Sequence, residues 1–215
     1  ADVRRTTRET DVRVSIQLDG SGRAHVATGV GFYDHLLLSL AHHALFDLEI
    51  DATGDLAVDE HHTVEDVALT LGRAFRQALG DTARIERFGD AWVPMDEALG
   101  HATVDCSGRP YAVLSIAFRG ERIGALPTQL IAHSLESFVR EAGITLHLRA
   151  EGANDHHVAE ASFKALARAL RRAVAPDPRR EDVPSTKGRL DWDDRGRDDR
   201  GRDGSSRDGS RRDGA

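Results

Sequence analysis

The sequence predicts an α/β (α+β) protein made of two duplicated half-domains, and three observations carry that expectation. A His-His-x-x-Glu motif occurs twice, at His61-His62-Thr63-Val64-Glu65 and at His156-His157-Val158-Ala159-Glu160. Each copy follows the same order of elements: a helical segment with a histidine (Asp34-His35-Leu36-Leu37 or Ile131-Ala132-His133-Ser134), an extended apolar stretch (Leu45 to Ile50 or Gly143 to Leu148), then a loop. The apolar spacing also switches between strand-like and helix-like along the chain, which requires mixed secondary structure. Self-similarity on this scale governs the fold. It places two repeats, at about 1–95 and 96–190, in a single domain, with 191–215 as a separate tail.

The elements follow in order. Between Thr10 and Thr28, Val12, Val14, Ile16 and Leu18 precede the turn Asp19-Gly20-Ser21-Gly22, and Ala24 and Val26 follow it, which predicts a β-hairpin. The charges of Arg4 to Thr10 read as a solvated edge. Gly29-Val30-Gly31-Phe32 breaks the strand, and Leu36, Leu37 and Leu40 put a helix over 33–43. A strand over 45–52 and the turn Thr53-Gly54-Asp55 lead into the first histidine motif. Beyond it, Val64, Val67, Ala68, Leu71, Phe75 and Leu79 mark an amphipathic helix ending near Gly80. Strands are expected over 88–94, 98–105 and 111–118. The second half then repeats the scheme, with a helix over 124–140, a strand over 144–150 and a helix over 154–174 that Pro176 ends. The last helix carries a stripe of Val158, Ala161, Ala165, Leu166 and Ala169, which suits close helix packing. From Asp191 on, Arg-Asp-Gly repeats offer no apolar face to offset the entropy of ordering, so 191–215 reads as a disordered tail.

The histidine motifs point to metal chemistry. On a helix, residues three and four apart lie on one face, so each motif sets an imidazole beside a carboxylate. That pairing suits zinc, manganese or iron, and no nearby cysteine argues for a thiolate site. Adjacent histidines cannot share a face, so each helix start can serve two different ions. One His-His pair at a helix start is more often a surface or capping feature than a ligand set. A second copy at the same offset is hard to motivate that way.

Composition narrows the partners. A formal charge of −7 gives no general attraction to nucleic acid or to an anionic membrane, and a small-molecule ligand is the natural partner. The most apolar stretch, from Phe32 to Phe46, is broken by charged and histidine residues and is far short of a membrane span. Cys106 is the single cysteine, which fits a reducing compartment, and the expected location is the cytoplasm.

Taken together, Arg8-Glu9-Thr10, Thr28 to His35, Glu60 to Asp66, Arg87-Phe88-Gly89, Asp105 to Pro110, Asn154 to Glu160 and Pro184-Ser185-Thr186-Lys187-Gly188 resemble imidazoleglycerol-phosphate dehydratase, an enzyme family of histidine biosynthesis, over residues 4–190. Cys106, where the family often has an aliphatic residue, and the tail depart from the family pattern. The resemblance implies two half-domains, each a four-stranded sheet with helices on one face, in the ribosomal-protein-S5-domain-2-like class. It implies assembly into a 24-mer with two manganese ions per active site between subunits. The implied metal ligands are His35, His61, His62, Glu65, His133, His156, His157 and Glu160. His35, His61 and His156 also face the substrate, and Glu65 and Glu160 stand among the catalytic candidates. Glu9 is the candidate acid/base. Arg87, Arg109, Ser185, Thr186 and Lys187 are expected to hold a phosphate, and His43 matches a further substrate-site position.

The implied reaction removes water from D-erythro-imidazole glycerol phosphate to give imidazole acetol phosphate. No carbonyl activates the C–H bond that breaks, so the substrate's own imidazole, held as imidazolate by two metal ions, must supply the electron sink. Two other readings compete. Di-iron centres use Glu-x-x-His on long helices, whereas here the order is reversed and strands intervene. Metals that merely cement an assembly would need no phosphate clamp.

Overall fold

The computed structural model describes residues 1–188 and Leu190, so the predicted tail lies outside the described residues. The first half runs β1 (Asp2–Thr6), β2 (Thr10–Gln17), β3 (Ala24–Ala27), α1 (Gly31–Ala44), β4 (Asp47–Gly54) and α2 (His61–Leu79). The second runs β5 (Phe88–Met95), β6 (Ala98–Asp105), β7 (Tyr111–Ile116), a short β8–β9 ribbon (Arg122–Ile123 and Leu126–Pro127), α3 (Thr128–Ala142), β10 (Thr145–Glu151) and α4 (Asp155–Ala173).

The duplication is visible in the sheets, whose orders are β1-β2-β4-β3 and β5-β6-β10-β7. In each, the first three strands are antiparallel and the last pair is parallel. Because β5 opens the second sheet, the halves divide between α2 and β5 and not at residue 95.

The expected hairpin between β2 and β3 does not form. β4 lies between them, with Ile50 opposite Val14 and Leu48 opposite Ile16. These four side chains are buried, whereas Ala24 and Val26 on β3 are only half-buried. Alternation marks a strand without naming its neighbour, and the better apolar partner wins. β3 instead pairs in parallel with β4, through a helical crossover of the kind parallel strands need. The helix expected from Gly124 starts at Thr128, because the β8–β9 ribbon turns at Gly124 (φ 58°) and Pro127 takes the N-cap position.

The four helices of the described residues lie on the inner faces of the sheets. α2 packs on β1 and β2, α4 on β5 and β6, and the two helical layers meet as α2 against α3 and α1 against α4. The alanine stripe of α4 lets it approach the sheet closely: a Cβ added to Gly100 would lie 2.4 Å from the carbonyl oxygen of Ala161. One continuous core joins the halves, with Phe46, Phe75 and Phe163 among its largest buried side chains. Among the described residues, no helix is long and apolar enough to cross a membrane.

Candidate metal centres and active site

Short polar residues fix the helix starts that carry the motifs. The Asn154 side chain accepts the His156 amide at 2.9 Å, and Asp59 accepts the His61 amide at 2.8 Å. One helical turn later the glutamates arrive on the same face. His156 Nε2 lies 2.9 Å from Glu160 Oε1, and His35 Nε2 lies at the same distance from that oxygen. In the other cluster His61 stacks on His133, ring centroids 4.9 Å apart, and His133 Nε2 is 3.4 Å from Glu65 Oε1. The ligand atoms of His35, His156 and Glu160, and likewise those of His61, Glu65 and His133, all lie within 4.8 Å of one another.

Each cluster therefore joins the paired-histidine helix of one half to the single-histidine helix of the other. The cause is the helix packing of α1 on α4 and α2 on α3. The residues fit a divalent cation. His133 Nε2 is shut off from water and makes no hydrogen bond among the described residues, a costly state for an imidazole nitrogen that an ion would relieve.

The second histidines turn away, as adjacent helical residues must. The rings of His61 and His62 stand at 88°, and those of His156 and His157 at 90°. His62 Nδ1 lies 3.0 Å from Asp55 Oδ2 and 3.7 Å from Glu9 Oε2; His157 Nδ1 lies 2.8 Å from Glu97 Oε2. The Asp55 bond raises the pKa of His62, and the Glu97 bond raises that of His157. In return, the His157 bond brings the Glu97 carboxyl down to about 2. A carboxylate on Nδ1 orients the ring and leaves Nε2 to face a metal. Burial pushes the Glu160 carboxyl up, but hydrogen bonds from Lys164, His35 and His156 outweigh it and bring it down to about 2.

Arg87, Arg109, Ser185, Thr186 and Lys187 line one cleft of about 490 Å³. Arg87 is also engaged by protein groups there. Its guanidinium grips Asp105 at 2.7 and 3.0 Å and donates to the Pro184 carbonyl at 2.7 Å, tying the Pro184 to Gly188 segment to the sheet. The cleft sits at the far end of α4 from the His35 cluster, since the Arg87 amide donates to Ala173 O at 2.8 Å. From His156 to Ala173 the helix rises about 25 Å.

Glu9, on the β1–β2 turn, is brought beside His62. His43 is not brought to a cluster. It is half-buried between α1 and α4, and burial, with His42, Lys164 and Arg168 nearby, lowers its pKa. Sequence reasoning passed over Asp55, Glu97 and Lys164. For Glu97 a signal existed: it ends the β5–β6 turn as Glu9 ends the β1–β2 turn.

The sequence model of imidazoleglycerol-phosphate dehydratase matches residues 28–170. The chain is 52% identical over 192 residues to the imidazoleglycerol-phosphate dehydratase of Methylobacterium radiotolerans, covering 88% of this chain and 98% of that one. It is 54% identical over 190 residues to that of Methanocella arvoryzae, at 88% and 98% coverage. Among solved structures, it is similar to the IGPD of Pyrococcus furiosus, with a TM-score of 0.75, 36% identity and coverage of 87% of this chain and 100% of that one. It is also similar to the enzyme of Staphylococcus aureus, with a TM-score of 0.73, 32% identity and 82% and 99% coverage. With whole-length matches of this kind over two histidine–carboxylate clusters, the chain belongs to the imidazoleglycerol-phosphate dehydratase family, the hydro-lyases of histidine biosynthesis.

Proposed function

We propose that the chain dehydrates D-erythro-imidazole glycerol phosphate to imidazole acetol phosphate, with two manganese ions per active site and active sites formed between the subunits of a 24-mer in the cytoplasm. The observation that carries this is the pair of three-residue clusters, each matched by an outward histidine, His62 or His157, that no cluster among the described residues uses. An outward histidine is spare in one chain and completes a ligand set in an assembly. The separation of the phosphate cleft from the clusters along α4 supports the same arrangement, because a small substrate needs both.

His35, His156 and Glu160, together with His61, Glu65 and His133, would hold the ions, and His62 and His157 of neighbouring subunits would complete the sets. Manganese in these positions supplies Lewis acidity that favours the imidazolate form of the substrate ring. The chain's residues do the rest. Arg109, Ser185, Thr186 and Lys187 hold the phosphate, with the segment kept in place by Arg87. Glu9, as acid, gives a proton to the hydroxyl beside the ring, which leaves as water, and then as base takes the proton from the carbon bearing the hydroxyl that is kept. The enol so formed becomes the ketone. Glu65 and Glu160 act at the metals, and His43 supports the α1–α4 packing that carries His35.

The test is to strip the purified protein of metal, titrate it with manganese, and follow turnover and particle mass in the same samples. Turnover rising with a large particle supports the proposal. Assembly without turnover would leave the metals a structural part only, and turnover by isolated chains would remove the inter-subunit site.

A further inference from the structure

The turn that carries Glu9 is held by a buried polar clasp whose counterpart in the second half is apolar. Asp66, the residue after the motif glutamate on α2, is 6% exposed, and Thr10 at the start of β2 is 4% exposed. Asp66 Oδ1 accepts from Arg5 Nε at 2.8 Å, and Asp66 Oδ2 accepts from Thr10 Oγ1 at 2.5 Å. Thr7 Oγ1 lies 3.1 Å from Thr10 Oγ1 and accepts the amide protons of Glu9 at 3.1 Å and Thr10 at 3.0 Å.

Proton counting gives this chain one direction. A carboxylate only accepts, so the Thr10 hydroxyl proton goes to Asp66. Thr10 Oγ1 is then the acceptor toward Thr7 at 3.1 Å, nearer than the Thr10 carbonyl that the Thr7 hydroxyl also reaches at 3.5 Å, and the Thr7 hydroxyl proton points to it. Both lone pairs of Thr7 Oγ1 are thereby turned to the Glu9 and Thr10 amides. The charge of Asp66 thus sets, through two hydroxyls, the backbone of the residue proposed as acid/base.

The second half shows that packing alone does not require this. There the residue after the motif glutamate is Ala161 and the first residue of β6 is Ala98; both are buried, in a small apolar cluster with Ala150 and Val158. A buried ion pair is weak evidence for stability when apolar residues fill the equivalent place. We propose that Asp66, acting with Arg5 through Thr10 and Thr7, is a positioning residue that fixes Glu9 beside His62 for the dehydration. This rests on the assignment of Glu9 as the acid/base.

The experiment uses the manganese-loaded assembled protein. A Thr10→Ala/Asp66→Ala variant copies the second half, and Asp66→Asn keeps the volume while giving Thr10 and Arg5 only one acceptor between them. The expected result for both is a fall in kcat of about 10²-fold with KM, manganese content and particle mass kept, and faster amide exchange at Glu9 and Thr10. Thr10→Ser, which restores the hydroxyl, should recover turnover. Unchanged turnover, or lost turnover with unchanged exchange over 7–10, would overturn the proposal, as would losses that track lost manganese. Glu9→Gln separates the two assignments. Near-normal turnover in that variant, alongside slow clasp variants, would remove Glu9 as acid/base and with it the role given to Asp66, even though the exchange data still showed the clasp holding the turn.

Discussion

The two halves share a strand order and a histidine motif, yet they stabilise their clusters by different means. In the second half Glu160 is buried and bonded to Lys164, one helical turn further on the same helix. In the first half Glu65 is half-buried, and its cation is Arg140 from α3, 3.7 Å away and largely exposed. The outward histidines differ as well. His157 is fixed by Glu97, which also accepts the amides of Ala153 and Asn154, whereas His62 leans on Asp55 in the loop before α2. Duplication preserved the histidine–glutamate pairs and their helical spacing, while the groups around them diverged. Ligand geometry comes from the helix; the surrounding charges come from whichever element lies alongside.

The largest expected effect breaks that contrast at the glutamates. Glu160→Gln should abolish manganese-dependent turnover and also lower the stability of the metal-free protein by about 3 kcal/mol, because Lys164 is left partly buried without its carboxylate. Glu65→Gln should abolish turnover with little change in metal-free stability, since Arg140 reaches water. Urea unfolding of the two variants checks this, and equal losses would end the distinction.

Next come the carboxylates behind the outward histidines. Asp55→Ala and Glu97→Ala should each weaken manganese binding by about 10- to 100-fold, with the larger loss at Glu97 because the start of α4 loosens too. Metal titration by calorimetry reads the difference. Smaller again, Arg109→Ala should raise KM with kcat nearly kept, while Arg87→Ala should also lower the melting temperature, since it frees Asp105 and the Pro184 carbonyl. A purely kinetic effect at Arg87 would return it to the anion clamp.

The mildest effect is one of pH, and its sign reverses with metal. In the metal-free protein the raised pKa values of His62 and His157 mean that their pairing with Asp55 and Glu97 stabilises the fold below the unfolded histidine value, near 6.5, and is lost as pH rises through the folded values. Manganese needs the neutral rings, so its binding should strengthen over that same rise. Melting temperatures with and without manganese, measured from pH 6 to 8, should therefore move in opposite directions.

Much of this was legible in the chain. Ala-rich spacing in Val158, Ala161, Ala165 and Ala169 announced a helix suited to close helix packing, and His61, Glu65, His156 and Glu160 were placed on their helix faces by the helical period alone. The β2–β3 hairpin was misread because alternation says that a strand has two faces and nothing of which strand pairs with it. Asp55 and Glu97 escaped notice for a related reason: a carboxylate in a turn looks solvated until a histidine is seen above it.

The sequence by itself determined the duplication, the residue types of the two motifs and the element order apart from β1 and the β8–β9 ribbon, because these depend on interactions between residues a few positions apart. Only the tertiary structure decided that each cluster draws on both halves, that Arg87 grips Asp105, and that the cleft lined by Arg109 and Lys187 lies at the opposite end of α4 from the His35 cluster. Those outcomes depend on which helix faces which, and that choice is made by the shared core around Phe46, Phe75 and Phe163, whose packing no local pattern encodes.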